Sequence, residues 1–338
     1  MSENVGAGAT MRAGRMVEVG RVVIEEVPIE APRPGELLVR SAYSSICGSD
    51  LHEVEHGVGL PPPPWPPGWP GHEGIGTVVE SLAHGFHVGD TVLCVPFANL
   101  GRTTAEFQRC KAATAIRVAA AGEPVPPLLD TLMAQQLGTV IYAMGQHPHD
   151  VTGRTVVILG QGSAGLFWCH LLRRAGAERV IVADLSDARL AVSARYGADV
   201  MLHARRDDVV AAVQDLTGGK GADYVVEAVG RKETLAQSIE LAAMDSAMIW
   251  FGLPDSEAAV PIDFFKFFRK RLRTASVFGA QGEPGLASFR TALAMIASKE
   301  IDVSPLLSHV IPIESVEHAF DLAMSRDDGA IKVSVSFD

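Results

Sequence analysis

The sequence predicts an α/β protein in two parts, a doubly wound parallel sheet preceded by a small β-barrel or sandwich, and three observations carry that prediction. Before residue 118 the chain runs in short β-like stretches punctuated by Gly and Pro. After Gly153, apolar strands alternate with helices. The turn Gly160-Gln161-Gly162-Ser163-Ala164-Gly165 lies between an apolar run and a helical one. Strands bounded by Gly and separated by helices imply βαβ units, whose parallel strands are buried on both faces.

Composition bounds the rest. At 338 residues, 47% hydrophobic and 20% charged, the chain suffices for two domains with real cores. A net charge of -11 with no Lys/Arg-rich block argues against nucleic acid or an anionic membrane as partner. Residues 1–10 are small and polar and are expected to be disordered. They hold no apolar export signal, and nowhere do about 18 apolar residues follow one another, so a cytoplasmic protein is expected. The four cysteines are too few and too scattered for a disulfide framework.

Taken in order, strands are expected at 37–40, 76–80 and 91–95. The segment 60–70, with prolines flanking Trp65 and Trp69, cannot be helix or central strand, because proline lacks the amide donor. It is expected as a stiff surface loop, either a rigid connector or an aromatic lid over a substrate cleft. The second part places strands at 155–159, 179–183, 200–203, 223–229, 247–251 and 274–278, with helices at 166–174, 188–196 and 208–216. Beyond Gly285, the segments 286–297, 307–313, 315–325 and 331–335 do not extend the sheet pattern and are expected to return to the first domain. The expected boundaries are 1–150, 151–284 and 285–338.

In the glycine turn, Gly160 permits the tight bend, Gly162 lets backbone amides approach a pyrophosphate, and Gly165 lets helix pack on strand. Ser163 and Ala164 open the helix whose N-terminal amides face the phosphates. The second strand ends at Asp184-Leu185, where a carboxylate accepts both ribose hydroxyls and repels a 2′-phosphate, so NAD is expected over NADP. Arg189 is expected over the adenine or a ribose hydroxyl. Val229, Gly230 and Lys332 complete the expected cofactor residues. The stretch 45–52, followed by Gly71-His72-Glu73-Gly74, gathers a thiolate, an imidazole and a carboxylate, the ligand types zinc takes.

These residues give the chain a family resemblance. Cys47-Gly48-Ser49-Asp50, Pro70-Gly71-His72-Glu73-Gly74, Val88-Gly89-Asp90-Thr91-Val92, the glycine turn and Asp328-Gly329-Ala330-Ile331-Lys332-Val333 resemble the zinc-dependent medium-chain dehydrogenase/reductase family, particularly its polyol (sorbitol-like) and threonine dehydrogenase branches. The resemblance runs from residue 11 to the end. It implies a GroES-like catalytic domain and a Rossmann cofactor domain, with the active site in the cleft between them. Cys47 and His72 become catalytic zinc ligands, and Glu73 a ligand directly or through water. Asp50 braces His72, Ser49 takes the alcohol proton, and His52 passes it to solvent, with the nicotinamide ribose hydroxyl as the link between Ser49 and His52. Glu55 and His56 are either solvated groups or substrate contacts.

Two departures follow. Many relatives carry four closely spaced cysteines that bind a structural zinc; here only Cys94 and Cys110 fall in that stretch, so core packing and no structural zinc are expected. The remaining ligand position, normally Cys or Glu, falls on Gln136, a neutral amide. The implied set is Cys47, His72 and Glu73, with Gln136 near or in the shell. The expected reaction is zinc- and NAD-dependent oxidation of a secondary alcohol (polyol, sugar or amino alcohol) to a ketone. The alternatives are a zinc-independent quinone or enone reductase and a non-enzymatic dinucleotide-binding protein. Residues 264–268 and 274–278 put apolar area at a sheet edge, so a homodimer or homotetramer is expected.

Overall fold

The computed structural model describes residues 8–60, 62–97, 100–147 and 149–337. Of residues 1–10, expected to be disordered, 1–7 lie outside that set. Residues 9 and 10 are already structured: Ile29 donates its amide to the Ala9 carbonyl at 2.9 Å, and Thr10 opens the first strand. The chain divides into two compact units, Met1–Gly138 with Gln281–Asp338, and Thr139–Ala280.

The first unit opens with an antiparallel ribbon of β1 (Thr10–Glu18) and β2 (Arg21–Pro28). Its main sheet holds β3 (Glu36–Ser45), β4 (Gly74–Ser81), β5 (Thr91–Cys94), β6 (Phe107–Lys111) and β7 (Ala115–Ala119). The last part of the chain adds β14 (Leu307–Pro312) and β15 (Lys332–Ser336), so the order is β14-β15-β3-β4-β5-β7, with β6 also on β3. The trunk is β3. One edge takes β4; the other is shared between β6 and, at its last residues, β15. The register pairs Ser45 with Ser334 and Ser44 with Gly74. Two remote segments, 71–73 and 332–333, are thereby drawn to the end of β3.

After β3 comes α1 (Gly48–His56), which lacks a strong apolar period and was not expected. Val54 docks it into a core with Met16, Phe320 and Val333. That core also receives the proline-rich loop, of which Pro61 lies outside the described residues. Trp65 and Trp69 are buried and stacked at 6.0 Å, and Gly68 and Met16 tie the loop to β1. The loop is therefore a packed connector and not a lid. Cys94 and Cys110 are buried in a second core with Leu37, Val78 and Val92. After β7 come α2 (Leu128–Leu132) and α3 (Ala134–Gln146). Leu137, Val140 and Ala143 are buried at helical spacing, which carries α3 unbroken past residue 138. The boundary between units thus falls inside α3, ahead of the expected 150/151.

The second unit is a six-stranded parallel sheet ordered β10-β9-β8-β11-β12-β13. Its strands are β8 (Thr155–Leu159), β9 (Arg179–Asp184), β10 (Val200–His203), β11 (Ala222–Glu227), β12 (Ala242–Trp250) and β13 (Arg273–Ser276). The helices are α4 (Ser163–Arg174), α5 (Asp187–Ser193), α6 (Val209–Leu216), α7 (Lys232–Leu241) and α8 (Phe264–Arg269). Ser186 and Asp208 cap α5 and α6 by accepting the amides of Arg189 and Ala211. Strand order reverses between β8 and β11, and in such sheets ligands bind outside the carboxyl ends at that point. The chain returns to the first unit through α9 (Ala287–Ala297) and α10 (Val316–Ser325), between which β14 lies. Among the described residues, no helix is long and apolar enough to cross a membrane.

Candidate active site

The end of β3 hands its backbone to β15, the Ile46 amide donating to the Val333 carbonyl at 3.0 Å. Cys47, in extended conformation, then caps α1. Asp50 ties the corner together. One of its oxygens accepts the Cys47 amide at 2.8 Å, and the other lies 2.9 Å from Nδ1 of His72. With Nδ1–H donating to Asp50, the lone pair of His72 is on Nε2, where a metal binds. Ser49 Oγ lies 3.4 Å from that nitrogen. Glycine at 101 is required sterically, since any Cβ there would strike the Gly71 carbonyl and His72.

Glu73 follows at the start of β4, fully buried. Its Oε2 accepts the Ser45 hydroxyl and lies 2.6 Å from Nζ of Lys332, itself 1% exposed. The Lys332 contact is a buried ion pair. Desolvating two ions costs several kcal/mol each, so such a pair adds little stability; its effect is to occupy one carboxylate oxygen. Glu73 Oε1 is buried with no partner. Gln136, in the first turn of α3, brings Nε2 to 3.9 Å from Cys47 Sγ, while its buried Oε1 has no partner either.

Ligand atoms of Cys47, His72 and Glu73 lie within 4.8 Å of one another, the one such group among the described residues. A tetrahedral zinc sets its ligands about 3.3–3.6 Å apart, given bonds of about 2.0–2.3 Å, so small side-chain adjustments close the set. A thiol, a free imidazole nitrogen and two orphaned buried oxygens fit a zinc ion chemically.

Electrostatics agree with that reading. Burial alone would lower the pKa of His72, but the Asp50 carboxylate and then Cys47 hold it well above its usual value. Lys332 is likewise raised against the effect of burial, by Glu73 first and then Cys47. Metal binding displaces such a proton from the imidazole. Burial, then repulsion from Asp50, pushes Glu53 up to about 8, partly offset by His72. His52 is half-buried one turn beyond Ser49. Glu55 and His56 are exposed and pair with each other at 3.6 Å.

In the second unit, Gly160 takes φ +90°, and a Cβ there would strike Val229 at 2.8 Å; at Gly165 it would strike the Gly160 carbonyl. Gly162 is open, with the Arg189 guanidinium nearest, 3.8 Å from where its Cβ would lie. Ser163 and Ala164 form the first turn of α4. Asp184 ends β9, its oxygens accepting the amides of Gln161 (2.6 Å) and Ser186 (2.8 Å). A carboxylate offers about four lone-pair sites, so acceptor capacity remains for hydroxyls. Leu185 is exposed beside it.

Two family models describe the chain: the alcohol dehydrogenase GroES-like domain over residues 33–123 and zinc-binding dehydrogenase over 164–298. An alcohol dehydrogenase of Cupriavidus necator is 26% identical over 97% of this chain and 99% of its own. The chain belongs to the zinc-type medium-chain dehydrogenase/reductases. An L-threonine 3-dehydrogenase of Pyrococcus abyssi is also 26% identical, covering 90% of this chain and 93% of that one. A protein described as a zinc-binding dehydrogenase from Sinorhizobium meliloti 1021, solved with NADP, superposes at a TM-score of 0.80 with 25% identity, over 97% of this chain and 100% of that chain. A medium-chain dehydrogenase of this type is an oxidoreductase acting on CH–OH with zinc and a nicotinamide dinucleotide. Its cofactor half is the Rossmann unit and its other half the GroES-like unit.

Within this dehydrogenase, Lys332 stands apart from the expected grouping. It lies in the first unit against Glu73, because β15 pairs with the end of β3; a local motif does not reveal that pairing. Sequence reasoning also missed Gln161, whose fully buried side chain donates to the Gly160 carbonyl and accepts from Ser193. It missed Glu53 as well, since a glutamate on a short polar helix reads as solvated.

Proposed function

We propose that this dehydrogenase oxidises a secondary alcohol of the polyol, sugar or amino-alcohol class to the ketone, with one catalytic zinc and NAD. The observation that carries the reading is the convergence of Cys47 Sγ, His72 Nε2 and Glu73, with Glu73 Oε1 and Gln136 Oε1 left as buried oxygens without partners. Those four residues would hold the metal. When bound, zinc lowers the pKa of a substrate hydroxyl as a Lewis acid, and NAD accepts the hydride.

The chain's own residues do the rest. Asp50 fixes the His72 tautomer and the Cys47 corner together. Ser49 takes the hydroxyl proton, and His52, one turn on, passes it toward solvent. Lys332 holds Glu73 by one oxygen and offsets its charge. The names of the C. necator and P. abyssi relatives support a hydroxyl-bearing substrate. One neighbour of this fold was solved with NADP; Asp184 supports NAD here, because its carboxylate repels a 2′-phosphate. The four unpaired cysteines support a reducing, cytoplasmic setting.

The test is NADH formation with a panel of diols, sugar alcohols and amino alcohols, with and without a chelator. Chelator-sensitive turnover is expected. Chelator-insensitive enone reduction would instead indicate the reductase chemistry of the wider superfamily, and dinucleotide binding without turnover a non-enzymatic protein.

Self-association is part of the same proposal. Phe264, Phe265 and Phe268 are exposed on α8, with Phe278 exposed after β13, the sheet's edge strand. Exposed phenylalanines on α8 and after the edge strand favour a second copy. Replacing Phe265 and Phe268 together by Glu is expected to reduce the mass seen by light scattering to that of one chain; a wild type already monomeric would contradict this.

A further inference from the structure

Glu227 ends β11 at the point of strand reversal and is fully buried. One oxygen, Oε1, accepts three donors: the Val229 amide (2.9 Å), the Gly230 amide (2.9 Å) and the Thr234 hydroxyl (2.8 Å). Its other oxygen is buried without a partner. The backbone carbonyl of the same residue accepts the amides of Phe251 (2.8 Å) and Gly252 (3.0 Å). One residue therefore fixes the loops leaving both β11 and β12. Gly230 adopts φ +87°, and a Cβ there would strike the Leu253 carbonyl. Val229 and the Ala228 carbonyl in turn abut Gly160, at 2.8 and 3.1 Å from where a Cβ would lie. The loop after β11 is thus the second wall of the crevice whose first wall is the glycine turn.

We propose that Glu227 is a positioning residue for dinucleotide binding, its Oε1 holding segment 228–230 at the spacing from Gly160 that the cofactor requires. The inference rests on the nucleotide-binding reading of this unit. Burial raises the pKa of this carboxyl, and the amide and hydroxyl donors only partly counter that. Glutamine keeps a side-chain carbonyl oxygen that can accept the same donors.

The experiment titrates the full-length protein with NADH, following fluorescence, alongside thermal melting and zinc content. Glu227→Leu removes the side-chain acceptor of the Val229 and Gly230 amides and one of the two acceptors within reach of the Thr234 hydroxyl, and is expected to weaken NADH binding about tenfold or more. Thr234→Val removes one donor to Glu227, together with the Arg231 amide's acceptor at the start of α7, while keeping the Val229 and Gly230 bonds to Glu227, and about a threefold loss is expected. Glu227→Gln should stay near wild type, and zinc content should be the same in all. A lower melting temperature in the Leu and Val variants with unchanged NADH affinity would reduce Glu227 to a purely structural role and overturn the proposal. Should Glu227→Leu fail to fold, wild-type affinity in Thr234→Val would do the same. A wild type that binds no NADH would overturn the nucleotide reading itself, an outcome separable from the other two.

Discussion

The metal cluster of the first unit and the glycine turn of the second are both organised by carboxylates, yet they finish differently. Asp184 has a backbone amide on each oxygen, and the turn it anchors is one contiguous stretch, 160–165. The metal cluster draws on 45–50, 72–73, 136 and 332, and leaves Glu73 Oε1 and Gln136 Oε1 buried without partners. Buried polar atoms are nearly always satisfied, so these two orphaned oxygens are the feature that sets the first unit apart. The turn, by contrast, opens on the N-terminal backbone amides of α4, the kind of group that takes a phosphate. Single side-chain replacements should therefore be decisive in the first unit and graded in the second.

The largest expected effect comes from Cys47→Ala, which removes the thiolate ligand: zinc content and turnover should both fall to background while NADH still binds the second unit. Retained zinc would break the contrast at its centre. Asp50→Asn keeps the ligands but loosens the His72 ring and the Cys47 corner. A loss of about 10–100-fold in metal affinity is expected, read by competition with a chromophoric chelator.

Gln136→Glu replaces a neutral donor by an anionic one and should tighten the metal by about tenfold in the same assay, since each 1.4 kcal/mol is a factor of ten. No change would put Gln136 outside the ligand set. Asp184→Ala is expected to leave zinc untouched and raise the kcat/KM ratio of NADP to NAD by several-fold to about tenfold. Unchanged selectivity would show that this carboxylate serves only to fasten Gln161 and Ser186.

The same contrast explains how much was legible in the sequence. The glycine turn, Asp184 and the pairing of Cys47 with His72-Glu73 were readable because each is a local arrangement of residue types with few other uses. The parallel sheet was readable from its apolar runs. Helix α1 was not, since its fold derives from docking Val54 and from Asp50 bonding back to the Cys47 amide, not from apolar periodicity. The placement of Lys332 was hidden because it follows from the β15–β3 register, a pairing between segments far apart in the chain. Trp65 and Trp69 read as part of a stiff surface loop, connector or lid; their burial in one core with Met16 and Phe320 is what the sequence did not show. Glu227 gives no local signal either, because its three donors arise from a turn that exists only once the strands are assembled.

The central claim is that Cys47, His72, Glu73 and Gln136 form one metal site. Its most direct test is elemental analysis of gently purified wild-type protein. The account predicts close to one zinc per chain, and protein that carries none, and takes up none when zinc is supplied, would contradict it.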